Sequence, residues 1–484
     1  MKLFDTKVQE LKYEVLREVI KAADKGDMSN IYLDIPKQIS PGPKPTMRCC
    51  IYKERAIVQE RIKMALGGDK TNPNSVEVID AACDACPIEG MYITPACRGC
   101  IVHKCKEACP KNAITIVDNK PVIDKEKCVE CGRCAKACPY SAIIEQRRPC
   151  VRSCKVGAIK MDENKKAVID NDKCVACGAC VYQCPFGAIV DKSFVMDVLD
   201  ILKKSENNTK YHVYAVIAPS IASQFRGIPL PKIATAIKKL GFYDIAEAAM
   251  GADVTLYHEA KELKERGVLT TSCCPSFVMF IEKNFPDLVK YVSSSVSPMV
   301  ETAFIIKRED PLAKCVFIGP CTSKKLEYRL PKTKGGIDSV LSFEELQAFF
   351  DARELDLAAM EDCPVDDASY YGRIFAKSGG ITQGVVNVAK SMGVDNVKPV
   401  SMSGLEECKI NLLKLRLGRA AENFFEGMAC EGGCLNGALS LHHEQRSVVD
   451  IDKYSNAASN KDIGCSVKRY EHSLEAGKAN GSEL

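Results

Sequence analysis

The sequence predicts an α/β domain of two lobes that follows a set of small, cysteine-rich α+β modules. The distribution of the cysteines is the first basis for this prediction. Eighteen of the 27 lie between Cys49 and Cys184, the next 88 residues contain none, and nine follow between Cys273 and Cys465. Such an uneven distribution indicates that the thiol-rich region and the rest of the chain are separate domains.

The α/β part of the prediction rests on alternating patterns after Ser193. The β-rich runs at 211–220 and 314–321 have the composition of buried strands, and helical stretches at 254–266 and 343–361 lie between and after them. This alternation is typical of α/β lobes. The expected domains are therefore a helical region at 1–80, a cysteine-rich domain at 81–192 and the α/β domain at 193–484.

In the first region, residues 5–25 have the pattern of a helix, and the proline-rich stretch 35–45 predicts an extended connection. The following segment RCCIYKERAIVQERIKMALGG predicts a second helix that ends at Gly67 and Gly68. Its two cysteines, Cys49 and Cys50, are assigned no role.

The overall composition restricts the class of protein. With 46% apolar and 27% charged residues the chain should form packed cores, and a net charge of +4 without charge blocks gives no basis for nucleic-acid or lipid partners. No apolar run is long enough for a bilayer helix, and the first residues lack the apolar stretch of a signal peptide. We therefore expect a cytoplasmic protein, in which cysteines serve metal or redox chemistry rather than disulfides.

A short repeat runs through the thiol-rich region, in the copies CKEACPKNAI, CAKACPYSAI, CVRSCKVGAI and CVYQCPFGAI. Two copies belong to the full pattern C-x2-C-x2-C-x3-C-P, in which the first three thiolates bind one [4Fe-4S] cluster and the fourth binds another. The sequence therefore predicts stacked ferredoxin-like modules. A structural zinc site is the weaker alternative, because zinc sites usually use two separated C-x2-C pairs. The two runs are Cys128, Cys131, Cys134 and Cys138, and Cys174, Cys177, Cys180 and Cys184.

The crossing of the fourth thiolate assigns sixteen cysteines to four cluster sites. A variant run with a longer middle gap pairs with the run that begins at Cys128, and the remaining cysteines complete the others. The sets are site 1, Cys97, Cys100, Cys105 and Cys138; site 2, Cys109, Cys128, Cys131 and Cys134; site 3, Cys154, Cys174, Cys177 and Cys180; and site 4, Cys83, Cys86, Cys150 and Cys184. Site 4 rests on arithmetic, and the alternative is that Cys83 and Cys86 are ordinary buried thiols and only three clusters form.

The cysteines after residue 270 follow a different pattern. They lie in three distant segments, TSCCP (271–275), GPCTSKKLE (319–327) and EGMACEGGC (426–434), which could meet at loop ends of an α/β scaffold. Gly432 and Gly433 would let the backbone approach a bulky cofactor, and the ammonium of Lys324 could contact an anionic ligand. The pattern therefore indicates a cofactor site.

These three segments, in this order, resemble the signature segments of the [FeFe]-hydrogenase catalytic domain. The segments APS (218–220), GAD (251–253) and SGG (378–380) resemble weaker family motifs, and the resemblance covers roughly residues 196–440. It implies the two-lobed α/β catalytic domain of that family, preceded by the ferredoxin-like modules that its members often carry.

Several positions depart from the commoner members of the family. Gly319 stands where methionine is usual, Phe277 where tryptophan is usual and Met299 where glutamine is usual. Together with RCCIYKERA near the start, these departures resemble the group B branch. They imply a differently shaped pocket beside the cofactor.

The resemblance implies an H-cluster, a [4Fe-4S] cluster joined to a diiron subsite with carbonyl, cyanide and bridging dithiolate ligands. By this resemblance the cluster ligands are Cys274, Cys321, Cys430 and Cys434, of which Cys434 also bridges to the diiron subsite. The residues around that subsite would be Lys324, Pro219, Ser220 and Met428, while Cys273 would pass protons to it.

A proton path is also implied by the resemblance. Glu259, Glu262 and Arg266 share one helix face, for which spacing alone favours an ordinary solvated surface. The segment nevertheless resembles the family's relay, which here would run through Arg266, Glu262, Ser293, Glu259 and Cys273. A buried carboxylate with a raised pKa would suit such a relay.

The activity implied is reversible formation of H2 from two protons and two electrons. No G-x-G-x-x-G fingerprint or Walker A loop is present, so a soluble ferredoxin is the expected electron partner, and dedicated maturases would deliver the diiron subsite. The alternatives are a hydrogenase-like iron–sulfur assembly factor, against which Cys273 and Lys324 count, and an H2-sensing homologue, for which a PAS or kinase segment would be expected.

Overall fold

The computed structural model describes residues 3–87, 89–464 and 466–468. The chain opens with three helices, α1 (Lys7–Lys25), α2 (Ile31–Ile39) and α3 (Ile51–Ala65). The side chain of Thr6 caps α1 by accepting the Gln9 N–H, and Gly26 ends the helix in the left-handed conformation (φ 73°).

Part of the stretch before α3 is helical where the sequence predicts an extended connection. The extended connection is predicted over 35–45, but α2 continues through Pro36 and ends at Ile39. Ile31 and Ile35 are buried in the core that also contains α3 residues, so tertiary packing of this short apolar face outweighs the low helix propensity of proline.

The cysteine-rich region consists of short helices and two-stranded antiparallel sheets. The pairs are β1 with β8, β2 with β5, β3 with β4 and β6 with β7. This is a ferredoxin-like arrangement of α+β modules. Its elements are β1 (Val76–Val78), α4 (Asp80–Cys83), β2 (Gly90–Ile93), α5 (Lys104–Glu107), β3 (Ile114–Val117), β4 (Lys120–Ile123), α6 (Arg133–Ala137), β5 (Ile143–Gln146), α7 (Pro149–Ser153), β6 (Ile159–Met161), β7 (Ala167–Ile169), α8 (Ala179–Gln183) and β8 (Ile189–Asp191).

The first lobe of the α/β domain is built on a four-stranded parallel sheet of order β10-β9-β12-β13. The predicted strand runs at 211–220 and 314–321 contain its two central strands. The elements of this part of the chain are α9 (Val195–Lys204), β9 (Val213–Ile217), α10 (Leu230–Lys239), β10 (Asp244–Glu247), α11 (Ala248–Arg266), β11 (Leu269–Thr270), α12 (Pro275–Asn284), α13 (Pro298–Glu309), β12 (Lys314–Ile318), α14 (Lys324–Glu327), β13 (Ser339–Leu341) and α15 (Phe343–Ala352), with 3-10 turns at Pro219–Ser223, Pro286–Tyr291, Pro331–Thr333 and Leu357–Ala359.

The second lobe has a three-stranded parallel sheet of order β11-β15-β14. Its remaining elements are α16 (Tyr370–Ile374), α17 (Gly380–Ser391), β14 (Pro399–Ser403), α18 (Leu405–Arg416), β15 (Phe424–Met428), a 3-10 turn at Cys434–Asn436 and α19 (Arg446–Asn456). In both sheets the strands run parallel, so their carboxyl ends lie on one edge, where ligands bind in open α/β sheets.

Buried residues join the helical region to the first lobe. One hydrophobic core contains residues of α1, α2 and α3 together with residues of β9, β12 and α15, and a second core lies under the other lobe. None of the described helices is both long enough and apolar enough to cross a lipid bilayer.

Candidate metal centre

The segments with the four expected H-cluster thiols follow strands of both sheets. Cys274 comes shortly after β11 and precedes α12, Cys321 follows β12, and Cys430 and Cys434 follow β15. Burial, together with the nearby thiols of Cys321 and Cys274, raises the pKa of Cys434 to about 12. The structure therefore gathers these thiols, from three distant segments, between the lobes.

A largely apolar cavity of about 80 Å³ lies beside these thiols. Cys430 lies outside this cavity and lines a neighbouring cleft with Cys177. All the other residues that the resemblance placed around the cofactor line the cavity itself, namely Pro219, Ser220, Cys273, Cys274, Cys321, Lys324, Met428 and Cys434.

Two polar groups on the cavity wall suit an anionic ligand. Ser220 is fully buried, and its Oγ has no hydrogen-bond partner among the described residues. Lys324 Nζ donates to Cys273 O at 3.1 Å and to Glu327 Oε2 at 2.7 Å. Burial alone would lower the pKa of Lys324, but the Glu327 carboxylate raises it, so the ammonium stays charged. The donors and the thiols therefore fit an iron–sulfur cofactor with anionic ligands.

Next to the cavity lies a carboxyl group that is out of contact with solvent. Glu259 is fully buried, its Oε1 accepts the Ser272 N–H at 3.2 Å, and its Oε2 has no partner among the described residues. Burial raises the pKa of Glu259 to about 8, with a smaller contribution from the charge of Glu262. The charge of Glu259 in turn raises the pKa of the buried Cys273 thiol, which indicates that the two groups are neighbours.

The outer part of the expected relay differs from the prediction in one residue. Arg266 donates to Glu262 Oε2 at 3.0 Å, as expected. The hydroxyl that donates a hydrogen bond to Glu262, however, belongs to Ser294 and not to Ser293. Ser294 also donates its backbone N–H to Glu262 at 3.1 Å, while Ser293 Oγ accepts from Ser295 N–H at 3.1 Å. Consecutive side chains of this non-helical segment point in different directions, which is why the prediction missed by one position.

The three departures from the commoner family pattern are all packed around the centre. A Cβ on Gly319 would lie 2.6 Å from Phe317 Cε1, so the absence of a side chain at 319 leaves room for the Phe317 ring, which lines the cavity. Met299 lines it as well, and the buried Phe277 ring packs against Gly427.

In the first module the thiols fall into the two groups that the crossing rule predicts. Burial raises the pKa of Cys105, and the neighbouring thiols of Cys100 and Cys138 raise it further, as expected at site 1. Burial also raises the pKa of Cys134, and the neighbouring thiols of Cys128 and Cys109 raise it further, as expected at site 2.

The second module groups its thiols in the same manner. Burial raises the pKa of Cys180, and the neighbouring thiols of the other members of site 3 raise it further. These are Cys177, Cys174 and Cys154. Burial, together with the thiols of Cys184, Cys86 and Cys83, raises the pKa of Cys150 to about 12, so all four thiols of site 4 are neighbours.

Each copy of the cysteine repeat has a hydrogen bond that the sequence analysis did not identify. The second cysteine of each copy accepts, at 3.2–3.4 Å, the backbone N–H of the alanine four residues later; the pairs are Cys109 and Ala113, Cys138 and Ala142, Cys154 and Ala158, and Cys184 and Ala188. These alanines are buried, which explains the small residue at that position. The presence of alanine at this position in all four copies of the repeat could have indicated this hydrogen bond.

Two further polar residues at these sites were also missed. Arg148 is buried and its Nη1 lies 3.5 Å from Cys83 Sγ in site 4. Glu426, in β15, accepts the N–H groups of Gly379 and Thr382 at 2.7 and 2.8 Å and so anchors the SGG segment. Neither residue lies in a cysteine motif.

The second module sits directly against the α/β domain. Thr322, next to Cys321, donates its hydroxyl to Ala176 O at 2.6 Å, and the thiols of Cys177 and Cys274 are close enough to influence each other's ionisation. The buried ammonium of Lys325 also pairs with Asp191 at 2.7 Å across the same contact, and with Glu345 of its own domain at 2.8 Å. Site 3 is therefore adjacent to the cavity thiols.

The chain matches three known families. The family described as the C-terminal domain of the iron-only hydrogenase large subunit matches residues 211–438. A 4Fe-4S dicluster domain matches residues 96–142, and a 4Fe-4S double cluster binding domain matches residues 127–187.

Individual proteins are also similar to this chain. The chain is 31% identical over 405 residues to iron hydrogenase 1 of Clostridium pasteurianum, with 71% of this chain and 69% of that protein covered. It is 24% identical over 324 residues to the cytosolic Fe-S cluster assembly factor narfl of Xenopus tropicalis, with 53% and 68% covered. A solved variant of [FeFe]-hydrogenase HydA1 from Chlamydomonas reinhardtii superposes with a TM-score of 0.45 at 20% identity, over 56% of this chain and 91% of that one.

Proposed function

Because the chain belongs to the iron-only hydrogenase family, we propose that it is an [FeFe]-hydrogenase that catalyses 2H+ + 2e− ⇌ H2. The observation that carries this proposal is the cavity in which the Cys273 thiol, the Lys324 ammonium and the unpartnered Ser220 hydroxyl lie beside Cys434. A protein that bound only a cubane would not need a cavity lined with these polar groups beside it. The proposed domains are 1–80, 81–192 and, for catalysis, 193–484.

We propose that Cys274, Cys321, Cys430 and Cys434 would hold the cubane of an H-cluster and that Cys434 would also be the thiol shared with its diiron subsite. When bound, this cofactor supplies the iron centres on which protons and electrons combine, with carbonyl, cyanide and dithiolate ligands. Lys324 Nζ and Ser220 Oγ are donors for its anionic ligands, and Pro219 and Met428 complete the wall. Met299 and Phe317 make that wall apolar, so they exclude water from the site and strengthen each polar contact.

Protons reach the cavity through the chain's own acids. In this proposal Arg266 orients Glu262, the Ser294 hydroxyl bonds Glu262, and Glu259 exchanges a proton with Cys273. A carboxyl with a pKa of about 8 both takes and gives up protons near neutral pH, which suits a relay. The buried thiol of Cys273 is the last proton carrier before the cofactor.

The thiols of sites 1 to 4 in the ferredoxin-like modules would hold four [4Fe-4S] clusters, which would supply an electron path to the H-cluster. Cys177 of site 3 neighbours Cys274, which supports site 3 as the end of that path. The electron partner in this proposal is a soluble ferredoxin, and maturases supply the diiron subsite.

The similarity to an assembly factor makes a second function worth testing with the same experiment. The protein is produced with the maturation machinery, its infrared spectrum is recorded, and H2 evolution from reduced viologen is measured. A hydrogenase gives carbonyl and cyanide bands and evolves H2. If the purified protein contains iron but has neither the bands nor activity, the assembly-factor function is favoured instead.

A pair of cysteine variants sharpens the test. Cys273→Ala should abolish H2 evolution while iron content and the infrared bands remain, since Cys273 carries protons and binds no iron. Cys315→Ala is the matched control, because Cys315 is equally buried but lies within the first sheet. Loss of iron in Cys273→Ala would contradict the role of this thiol.

A further inference from the structure

A second cleft, unrelated to the cavity thiols, lies between α1, α3 and the turn that follows Cys184. Its volume is about 270 Å³, and apolar residues form much of its wall. Its polar lining consists of Lys7, Ser40, Arg48, Glu54 and Arg61. Lys7 pairs with Glu10 outside this lining, so the unpaired positive charges of the cleft are those of Arg48 and Arg61.

Three buried polar atoms of this lining have no hydrogen-bond partner among the described residues. They are Ser40 Oγ, Glu54 Oε2 and Arg61 Nη1, and their residues are 4%, 3% and 5% exposed. An unpaired buried donor or acceptor destabilises a fold, so three of them around one cleft indicate that a bound molecule completes their hydrogen bonds.

Neither arginine of the cleft is paired with a carboxylate. Arg48 Nη2 donates to Phe186 O at 2.7 Å and Arg61 Nη2 to Gly187 O at 2.9 Å, and neither forms an ion pair within the described part of the chain. Burial, together with the charge of Arg48, lowers the pKa of Arg61 to about 10. An anion between the two guanidinium groups would offset their mutual repulsion.

The one acid in the cleft is already engaged. Glu54 Oε1 accepts the backbone N–H groups of Thr46, Met47 and Arg48, with the first at 2.7 Å and the last at 2.9 Å. This carboxylate therefore holds the loop at 46–48 in place. Its second oxygen, Oε2, can still accept a hydrogen bond from a bound molecule.

We propose that this cleft binds a small oxyanion that also carries an O–H group, such as a hydrogenphosphate or a hydroxycarboxylate. The planar guanidinium groups of Arg48 and Arg61 match the paired oxygens of such an anion, and Ser40 is a further donor. The O–H group of the ligand donates to Glu54 Oε2, which an anion without a donor would leave unpaired.

The ligand would also affect the neighbouring cluster site. Arg61 donates to Gly187, three residues after Cys184, and its charge interacts with the Cys184 thiol of site 4. A bound anion offsets that positive charge and so makes reduction at site 4 less favourable. This consequence rests on the proposed cluster at site 4, whereas the binding itself does not.

The binding is tested by calorimetry on the full-length, cluster-loaded protein at constant ionic strength. The probes are inorganic phosphate, glycolate, which carries a hydroxyl, and acetate, which does not; sodium chloride is the salt control. We expect saturable binding of one phosphate or glycolate per chain, weaker binding of acetate, and none of chloride. The stronger of the first two probes identifies the source of the oxyanion.

Matched variants locate the site. Arg48→Gln should weaken binding at least tenfold and Arg48→Lys less, whereas Lys63→Gln, on the exposed face of α3, should leave it unchanged. Arg48 is preferred because Arg61 is buried and its loss could prevent folding. Absence of saturable binding, or equal weakening by Arg48→Gln and Lys63→Gln, would overturn the proposal.

The effect on the cluster is read separately. Phosphate should shift the reduction potential of one [4Fe-4S] signal to more negative values in a titration followed by electron paramagnetic resonance, and the shift should be absent in Arg48→Gln. If binding occurs without a shift, the anion site stands and its coupling to site 4 is refuted.

Discussion

The buried carboxyl of Glu259 gives the most direct test of the proton path. The perturbation is Glu259→Gln, which keeps the shape and the hydrogen bond from Ser272 N–H but removes the titrating group. With its Oε2 unpartnered and no solvent contact, the native side chain holds its proton to unusually high pH. The variant isolates this property from packing.

The magnitude follows from the raised pKa of about 8. Roughly nine tenths of Glu259 carry a proton at pH 7 and about one tenth at pH 9. The folded state therefore binds this proton more tightly than the unfolded state, whose pKa is near 4.5. The stability contribution is present at low pH and is lost as pH rises from about 4.5 to about 8, by about 5 kcal/mol in total.

The assay is infrared difference spectroscopy of the carboxyl C=O band between pH 6 and pH 10. The native protein should lose one band with a midpoint near pH 8, and Glu259→Gln should lack that band. H2 evolution of the variant should fall by about 10²–10⁴-fold, the usual effect of removing a positioned acid–base group. Glu265→Gln, at an exposed position of the same helix, is the control.

Two results would refute this reasoning. Absence of a carboxyl band that titrates between pH 6 and pH 10 would show that Glu259 is already ionised at pH 6 and is therefore solvated. Normal turnover of Glu259→Gln would show that protons reach the cofactor by another route, even if the band behaves as expected.

Three further variants test other parts of the structure. Ser294→Ala should lower H2 evolution by about tenfold or more, and Ser293→Ala should have a smaller effect, because only Ser294 bonds Glu262; equal losses would contradict the revised relay. Gly319→Ala should lower the free energy of unfolding by about 1–3 kcal/mol through its clash with Phe317, and a second change, Phe317→Leu, should restore the melting temperature unless the clash lies elsewhere. Cys86→Ala should cost one cluster, about four iron atoms per chain by metal analysis, with the infrared bands unchanged; an unchanged iron content would favour three clusters over four.

Cysteine spacing indicated iron–sulfur modules because a cubane fixes the separation of its ligands. The structure brings together the site 4 residues Cys83, Cys86, Cys150 and Cys184, even though two of them lie far upstream in the sequence. The strand runs at 211–220 and 314–321 were predictable for a different reason, since buried parallel strands are continuously apolar.

Other features depend on tertiary contacts that no local pattern contains. Ser293 and Ser294 are chemically identical neighbours, and only the path of the backbone decides which one meets Glu262. At Gly319 the sequence indicated a changed pocket but not its form. The ring that uses the free space comes from Phe317, two residues earlier in the same segment.

The net charge of the chain also has a structural meaning. Four cubanes with four thiolates each would contribute about −8 in the oxidised form, which changes the formal +4 of the chain to about −4. Local donors can stabilise this negative charge. In every site an alanine N–H donates a hydrogen bond to one thiol, and Arg148 lies beside Cys83. Because a buried guanidinium without an anion is costly, the cluster that we propose at site 4 would supply the counter-charge for Arg148. Assembly of that cluster should therefore stabilise the second module.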